Sequence, residues 1–212
     1  ESRLRMLGVP YVISSSGKTV PEDTGTYPKS ALVTTDTEIE SQSMVDYLCS
    51  CGHKRIAFIT SGDEGLGRCH LNGYKRSLEK NGLEYDEKLI IRLKPGKRIY
   101  TIENGYNCTC ELLKSGVDFS CIYAISDTLA VGACRAVIDS GKRVPEDYCV
   151  AGADGQDIAE YYHPSITTLK YPRVETALQS VRTLFDLIDR KKVVKRQILG
   201  GTLIERESTR KL

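Results

Sequence analysis

Short apolar runs alternate along this chain with segments in which apolar residues recur every three or four positions. A run of four to eight apolar residues is typical of a buried strand, and the 3.6-residue period is typical of a helix. The pattern predicts strands at 9–14, 30–35, 55–60, 88–93, 119–126, 147–154, 166–171 and 197–206. It predicts helices from Thr37 to Gly52 and at 71–80, 102–115, 128–140 and 174–190, and a long loop at 14–30.

This order of elements indicates the fold class. Strands that alternate with helices, and that are apolar almost throughout, favour a parallel sheet covered by helices on both faces. The chain is therefore predicted to have a doubly wound α/β fold. Folds of this class bind their ligands beyond the carboxyl ends of the strands.

Composition narrows the function classes. The 212 residues are 40% hydrophobic and 27% charged, with a net charge of +2, which gives no general argument for nucleic-acid binding. No apolar run approaches the roughly 20 residues that a membrane span needs, so no membrane partner is expected. The basic run "RKKVVKR" at 190–196 suggests a nucleic-acid patch, but its place between a helix and a strand favours a solvated connection. The first residues contain neither an initiator Met nor a signal core, and we expect the natural chain to continue before Glu1.

The eight cysteines are interpreted as free thiols. Two C-x-C pairs, Cys49/Cys51 and Cys108/Cys110, lie in predicted helices, where residues i and i+2 face different sides and do not share a metal ion. The other four, at 69, 121, 134 and 149, stand singly, mostly in apolar contexts. No metal site and no disulfide is expected, which favours a reducing, cytoplasmic setting.

The glycine-rich segment "TSGDEGLGRC" at 60–69 raises the question of a phosphate-binding loop. Such a loop needs Lys and then Ser or Thr after its second glycine, and here these positions are Arg68 and Cys69. Nucleotide binding is therefore not predicted, and no cofactor is implied. With three histidines and no catalytic spacing, an enzyme is not expected either.

Several longer motifs carry a family resemblance. The segments "YLCSCGHKRIAFIT", "NGYKRSLEKNG", "AISDTLAVGACRAVIDSGKRVPEDYCVAGADG", "HPSITTLKYP" and "LIERES" resemble, in this order, the LacI/GalR family of bacterial transcription repressors. The resemblance covers nearly the whole chain and concerns the effector-binding domain, which is similar to periplasmic sugar-binding proteins. It implies two α/β lobes joined by three crossovers, with a ligand cleft between them.

The resemblance also implies domain boundaries. Residues 1–61 would form part of lobe one and 62–168 lobe two, with 60–69 as the first crossover. Residues 169–195 would return to lobe one, and 196–212 would add a strand region to lobe two. The family's DNA-binding headpiece and the first part of lobe one have no counterpart in this sequence.

Ligand-site residues follow from the same resemblance. Ser126, Asp127 and Asp154 match polar residues that contact ligand hydroxyls, although Ser126 or Asp127 as a helix cap and Asp154 as a turn residue are the alternatives. Tyr100 and Tyr171 would supply an aromatic wall unless they pack in the core. His70 stands where many members of the family have Arg, and Arg68 is the alternative residue for that role. Ser15 stands where the family often has Asp.

Tyr162 matches a dimer-interface position of the family. The alternative is that Tyr162 is buried in the core.

The resemblance thus implies a sensor of a sugar-like effector within a LacI-type repressor. Its implied partners are the effector, operator DNA through a headpiece outside this sequence, and a second copy in a homodimer. A periplasmic-type sugar-binding protein for transport or chemoreception is the alternative, which a secretory signal and fewer free cysteines would favour.

Overall fold

Two parallel sheets organise the chain, which a computed structural model describes over residues 2–15, 26–94, 96 and 98–212. They belong to two compact units. Unit 1 comprises 1–37 and 172–201, and unit 2 comprises 38–171 and 202–212.

The helices and strands of the described residues account for most of the chain. The helices are α1 (Ser2–Leu7), α2 (Thr37–Ser50), α3 (Gly65–Lys80), α4 (Ile102–Lys114), α5 (Asp127–Asp139), α6 (Asp157–Tyr161) and α7 (Arg173–Ile188). The strands are β1 (Tyr11–Ser15), β2 (Ser30–Thr35), β3 (Ile56–Thr60), β4 (Ile90–Arg92), β5 (Cys121–Ala124), β6 (Cys149–Asp154), β7 (Thr167–Lys170), β8 (Arg196–Leu199) and β9 (Thr202–Ile204). A 3-10 turn covers Glu87–Leu89.

Unit 1 contains a three-stranded sheet of order β1-β2-β8, parallel throughout. Tyr11 pairs with Ser30 and Leu32 with Arg196, so the three strands start at the same edge. Helix α7 packs on β1 and β2 and buries Thr176, Thr183 and Leu187. Its opposite face exposes five large apolar side chains: Val174, Leu178, Val181, Phe185 and Ile188.

Unit 2 contains a six-stranded sheet of order β4-β3-β5-β6-β7-β9, in which only β9 runs antiparallel to its neighbour. The aromatic core lies beside β3 and β5. The Phe58 ring centroid is 4.9 Å from that of Tyr74 and 5.1 Å from that of Tyr123, in stacked arrangements. The buried Tyr74 hydroxyl donates to the carbonyl of Ile56 at 2.8 Å, which satisfies its polar end.

Helices α4 and α5 approach each other closely through two glycines. A Cβ atom on Gly132 would meet the carbonyl oxygen of Ile102 and lie 2.7 Å from the amide nitrogen of Tyr106. A Cβ atom on Gly105 would likewise meet the carbonyl of Leu129. The absence of a side chain at these two positions therefore sets the distance between the helices.

The observed units differ from the expected lobe boundaries. Strand β3, expected in lobe one, pairs with β4 and β5 and so belongs to the second sheet. Helix α2 also lies in unit 2, and the chain first passes between the units at Thr37–Glu38 rather than at 60–69. The expected strand region 196–212 is divided, because β8 pairs with β2 while β9 pairs with β7.

Smaller differences concern single elements. The helix expected at 71–80 already begins at Gly65, so the second half of the glycine-rich segment is helical. Helices α1 and α6 were not predicted, and residues 16–25 of the expected loop lie outside the described residues.

All eight cysteines are unbonded thiols. Among the described residues, no helix has the length and apolarity that would let it cross a membrane.

Candidate functional site

Polar and aromatic residues collect at the carboxyl edge of the six-stranded sheet. The parallel strands β3, β5, β6 and β7 end at this edge, and the segments that follow them meet there. Four residues that the sequence singled out lie in these segments: Ser126, Asp127, Asp154 and Tyr171. We call this group the carboxyl-edge site.

Asp127 joins three segments of the carboxyl-edge site. Its side chain is completely buried, and its Oδ1 accepts from the Thr168 hydroxyl at 2.6 Å while its Oδ2 accepts from the backbone N–H of Gln156 at 2.6 Å. With both oxygens engaged and no exposed surface, the carboxylate ties α5 to β7 and to the turn after β6. Asp127 therefore positions the site, and its expected direct contact with ligand hydroxyls does not fit this geometry.

The same burial makes the stability contribution of Asp127 depend on pH. Desolvation raises the pKa of this carboxyl to about 6, against the opposing effect of the Thr168 and Gln156 hydrogen bonds. Because the folded-state pKa lies above that of the unfolded chain, the contribution is fully present below about pH 4 and is lost as pH rises through 6. We expect the free energy of unfolding of the wild type, relative to Asp127→Asn, to fall by on the order of 2 kcal/mol between pH 4 and 7.

Urea titrations of both proteins at intervals of half a pH unit measure this difference. Other carboxyls titrate in both proteins and cancel in the comparison. A difference that stays constant, or that grows with pH, would contradict the raised pKa of Asp127.

Ser126 serves as the N-cap of α5. Its hydroxyl accepts from the backbone N–H of Leu129 at 3.3 Å and lies 3.0 Å from the Thr128 hydroxyl. Thr128 in turn donates to the carbonyl of Tyr100 at 3.2 Å, which holds the segment before α4 at this edge. The side chain of Tyr100 is 45% exposed, so it does not pack in the core. The capping alternative for Ser126 is confirmed, and its ligand contact stays a prediction.

Asp154, the last residue of β6, has an unusual backbone conformation. Its φ of 108° lies in the left-handed region, where a side chain is strained and glycine is favoured. Its half-buried carboxylate accepts from the side-chain amide of Gln156 at 2.9 Å. Strained residues of this kind concentrate at functional sites, where the neighbouring structure maintains them. The observation makes Asp154 the foremost ligand-contacting candidate of the site.

Tyr171 forms an apolar side of the site. It is half-buried and packs against the main hydrophobic cluster, and burial raises the pKa of its phenol well above the usual value. Nearby Tyr123 and the charges of Glu40, Asp154 and Asp127 raise this pKa further. The packing of Tyr171 against the hydrophobic cluster supports the core-packing alternative, and its role as an aromatic wall for a ligand stays a prediction.

Sequence reasoning missed several members of this neighbourhood. Glu40 is 5% exposed, and its charge acts on the phenols of both Tyr171 and Tyr123. Its position in the first turn of α2, three residues after Thr37, indicates only a capping role. Gln156 donates hydrogen bonds to both Asp127 and Asp154, and Thr168 donates one to Asp127. The sequence signals for these contacts are only that Gln156 follows the segment "GAD" and that Thr168 lies in the strand β7.

His70 and Arg68 face different sides of α3. His70 is 5% exposed, whereas Arg68 lies on the surface. The His70 carbonyl accepts from the Ser41 hydroxyl at 2.8 Å, and Ser41 also interacts with the Tyr123 hydroxyl. Burial lowers the pKa of His70 to about 4, so its imidazole is neutral near pH 7, and its Nδ1 has no hydrogen-bond partner among the described residues. The inward-facing position on α3 is therefore occupied by the neutral imidazole of His70 and not by a cation.

Ser15 and Tyr162 are the remaining two candidates. Ser15 is the last residue of β1 and pairs with Thr34 in the sheet of unit 1. Tyr162 is half-buried against the hydrophobic cluster, and burial raises the pKa of its phenol. Its neighbour Tyr161 is 83% exposed and is the more accessible of the two at the proposed dimer position.

No group of three or more potential metal ligands occurs in the part of the chain that the structure describes.

Comparison with known proteins agrees with this architecture. Residues 45–209 match the family described as periplasmic binding protein-like domain. The chain is 41% identical over 146 residues to the HTH-type transcriptional regulator MalR of Clostridium butyricum. The matched segment covers 69% of this chain and 42% of that protein. It spans about half the length of the curated relatives it matches, which are transcriptional regulators and not enzymes.

Solved structures show the same relation. A LacI-family regulator from Enterococcus faecium with bound ribose superposes with a TM-score of 0.80 at 27% identity, covering 100% of this chain and 74% of that one. The transcriptional regulator CelR in complex with cellobiose gives a TM-score of 0.80 at 31% identity, covering 97% and 60%. The chain therefore belongs to the periplasmic binding protein-like domain family, in the form that serves as the effector-binding domain of LacI-family transcriptional regulators.

Proposed function

We propose that the carboxyl-edge site binds a small neutral sugar as the effector of a LacI-type regulator. The observation that carries this proposal is Asp154, whose backbone is strained at the carboxyl edge and whose charge acts on the phenol of Tyr171. A carboxylate accepts hydrogen bonds from sugar hydroxyls, and an aromatic ring packs on the apolar face of a sugar. Relatives solved with ribose and with cellobiose support a sugar as the ligand class.

The charges of the site favour a neutral ligand over an anionic one. Glu40 and Asp154 are carboxylates, and the buried imidazole of His70 is uncharged near pH 7. An added phosphate or carboxylate on the ligand would be repelled by these charges in a poorly solvated environment.

In the whole regulator, the effector would shift an equilibrium between two arrangements with different affinities for operator DNA. It can shift that equilibrium only by its differential affinity for the two arrangements. The proposal includes a DNA-binding headpiece outside this sequence, a homodimer and a cytoplasmic setting, and the kinship with transcriptional regulators supports it. A transport or chemoreception protein is the less favoured alternative, because the curated relatives are regulators.

A thermal-shift screen of pentoses, hexoses, disaccharides and their phosphorylated counterparts tests the proposal. A ligand at about one hundred times its Kd stabilises a protein by roughly 2.7 kcal/mol. For a chain of this size we expect the melting temperature to rise by roughly 5–10 °C. At least one neutral sugar should give this rise while its phosphate does not. A panel in which only phosphorylated or otherwise anionic compounds stabilise the protein would overturn the neutral-sugar proposal.

A further inference from the structure

Positive charge collects at the amino edge of the sheet in unit 1. The parallel strands β1, β2 and β8 start at this edge, at Tyr11, Ser30 and Arg196. Helix α1, the segment before β2 and the connection from α7 to β8 lead into these starts. They carry the residues that we call the amino-edge patch: Arg3, Arg5, Lys29, Arg190, Lys191, Lys192, Lys195 and Arg196.

Among the described residues, few carboxylates oppose the charge of the connection from α7 to β8. Asp186 and Asp189 both pair with Lys191, at 3.1 Å and 3.0 Å. Arg190 and Lys192 are exposed, and no carboxylate of the described residues lies within ion-pair distance of either. Unit 1 has eleven Lys and Arg against seven Asp and Glu, whereas unit 2 has nineteen against twenty-one. The small net charge of the chain therefore conceals an uneven distribution.

The amino-edge patch is held in place by hydrogen bonds. Lys195 Nζ donates to the carbonyls of Tyr27, Pro28 and Ser30, at 3.3, 2.6 and 2.9 Å. Lys29 Nζ donates to the carbonyl of Gly8 at 2.9 Å, which ties the end of α1 to the segment before β2. Lys29, Arg190 and Lys191 line one cavity of about 560 Å³ at this edge.

Arg190 occupies a backbone position that favours glycine. Its φ is 57°, its N–H donates to the carbonyl of Leu187 at 3.2 Å, and the N–H of Lys191 donates to the carbonyl of Asp186 at 2.8 Å. This hydrogen-bond pattern ends many helices, and the residue in the left-handed conformation is usually glycine. An arginine at this position carries a backbone strain that glycine would avoid, and residues strained in this way concentrate at functional sites.

We propose that the amino-edge patch binds the phosphate backbone of duplex DNA without reading its sequence. Arg3, Arg190 and Lys192 are exposed and have no carboxylate partner among the described residues, and separate cations of this kind suit an extended polyanion better than one small anion. Arg and Lys are the usual partners of DNA phosphates, and such contacts add affinity and position a protein on the duplex. The proposal concerns a surface in unit 1 and does not depend on the effector site.

The test uses fluorescence anisotropy of this protein with a labelled 30-base-pair duplex of arbitrary sequence, between 50 and 200 mM salt. We expect Arg190→Glu/Lys192→Glu to lower affinity at least tenfold at 50 mM salt. It should also make the slope of log K against log salt shallower by about two, because each phosphate contact contributes about 0.9. Lys54→Glu/Lys142→Glu is the matched control: it changes the charge equally at exposed lysines of unit 2 and should leave affinity within about twofold, the small scatter typical of surface changes away from a binding site.

A second variant separates binding from folding. Arg190→Gly removes one cation and relieves the left-handed backbone, so affinity should fall while the melting temperature rises or stays unchanged. Equal losses in both glutamate pairs, or no binding at 50 mM salt, would overturn the proposal. Competition by polyglutamate as strong as that by unlabelled duplex would also overturn it, in favour of an acidic protein partner.

Discussion

Replacing Asp154 with alanine is expected to weaken effector binding tenfold to a hundredfold. The carboxylate lies at the carboxyl edge of the six-stranded sheet, and a hydrogen bond to a charged acceptor contributes about 1.5–3 kcal/mol. Loss of one such bond corresponds to roughly one to two orders of magnitude in Kd. Calorimetric titration of wild type and variant with a sugar found in the thermal-shift screen measures the effect.

A matched variant separates this binding role from backbone strain. Asp154→Gly removes the same carboxylate but is free to adopt a φ of 108°, whereas alanine is not. The two variants should bind the sugar equally weakly, while the glycine variant is more stable by about 1 kcal/mol. Undiminished sugar affinity in both variants would show that Asp154 does not contact the effector, even if the stability difference is found.

Gly132→Ala is expected to destabilise the protein by about 3 kcal/mol. Glycine to alanine inside a helix is ordinarily stabilising by roughly 0.5–1 kcal/mol, so the expected sign is reversed. The added methyl group meets the backbone carbonyl of Ile102, and a backbone atom cannot rotate away as a side chain can. Helices α4 and α5 must therefore separate, and overpacking of this kind costs about 1–3 kcal/mol or more. Urea denaturation monitored by circular dichroism measures the change.

Gly200→Ala is the control for this prediction. A Cβ atom on Gly200 meets no heavy atom within 4 Å, and the residue lies in the connection between β8 and β9. Its free energy of unfolding should change by less than about 0.5 kcal/mol, as is usual at unconstrained surface positions. If Gly132→Ala is as stable as the wild type, the close approach of α4 and α5 does not limit packing.

The candidate site was predictable in location more than in the roles of its residues. Strand ends indicated that Ser126, Asp127, Asp154 and Tyr171 belong to one edge, because parallel strands point their carboxyl ends the same way. The complete burial of Asp127 and the strained backbone of Asp154 depend on contacts with residues far away in the chain, such as Thr168 for Asp127. The two aspartates have similar sequence contexts. Because of those contacts, Asp127 holds three segments of the site together, whereas Asp154 is the ligand-contacting candidate.

Position 70 illustrates the same limit. Spacing on a helix showed that residues 68 and 70 face differently, but only packing against α2 decided which one points inward. The buried residue is His70, and burial removes its charge near pH 7. The basic run at 190–196 is interpreted from the sequence as a solvated connection, because it lies between a predicted helix and a predicted strand. Its neighbours Lys29 and Arg5 come to the same edge only when β1, β2 and β8 pair.

The amino-acid sequence by itself determined the α/β class, the type and approximate bounds of most helices and strands, and the family resemblance. These properties depend on local periodicity and on the spacing of motifs, both of which can be read within a short window. Only the tertiary structure decided which sheet each strand joins. Strand β3 belongs to unit 2, and β8 and β9, separated by Gly200 and Gly201, belong to different sheets. The physical reason is that apolar strands have similar local patterns, whereas their hydrogen-bond partners are set by pairing between distant segments.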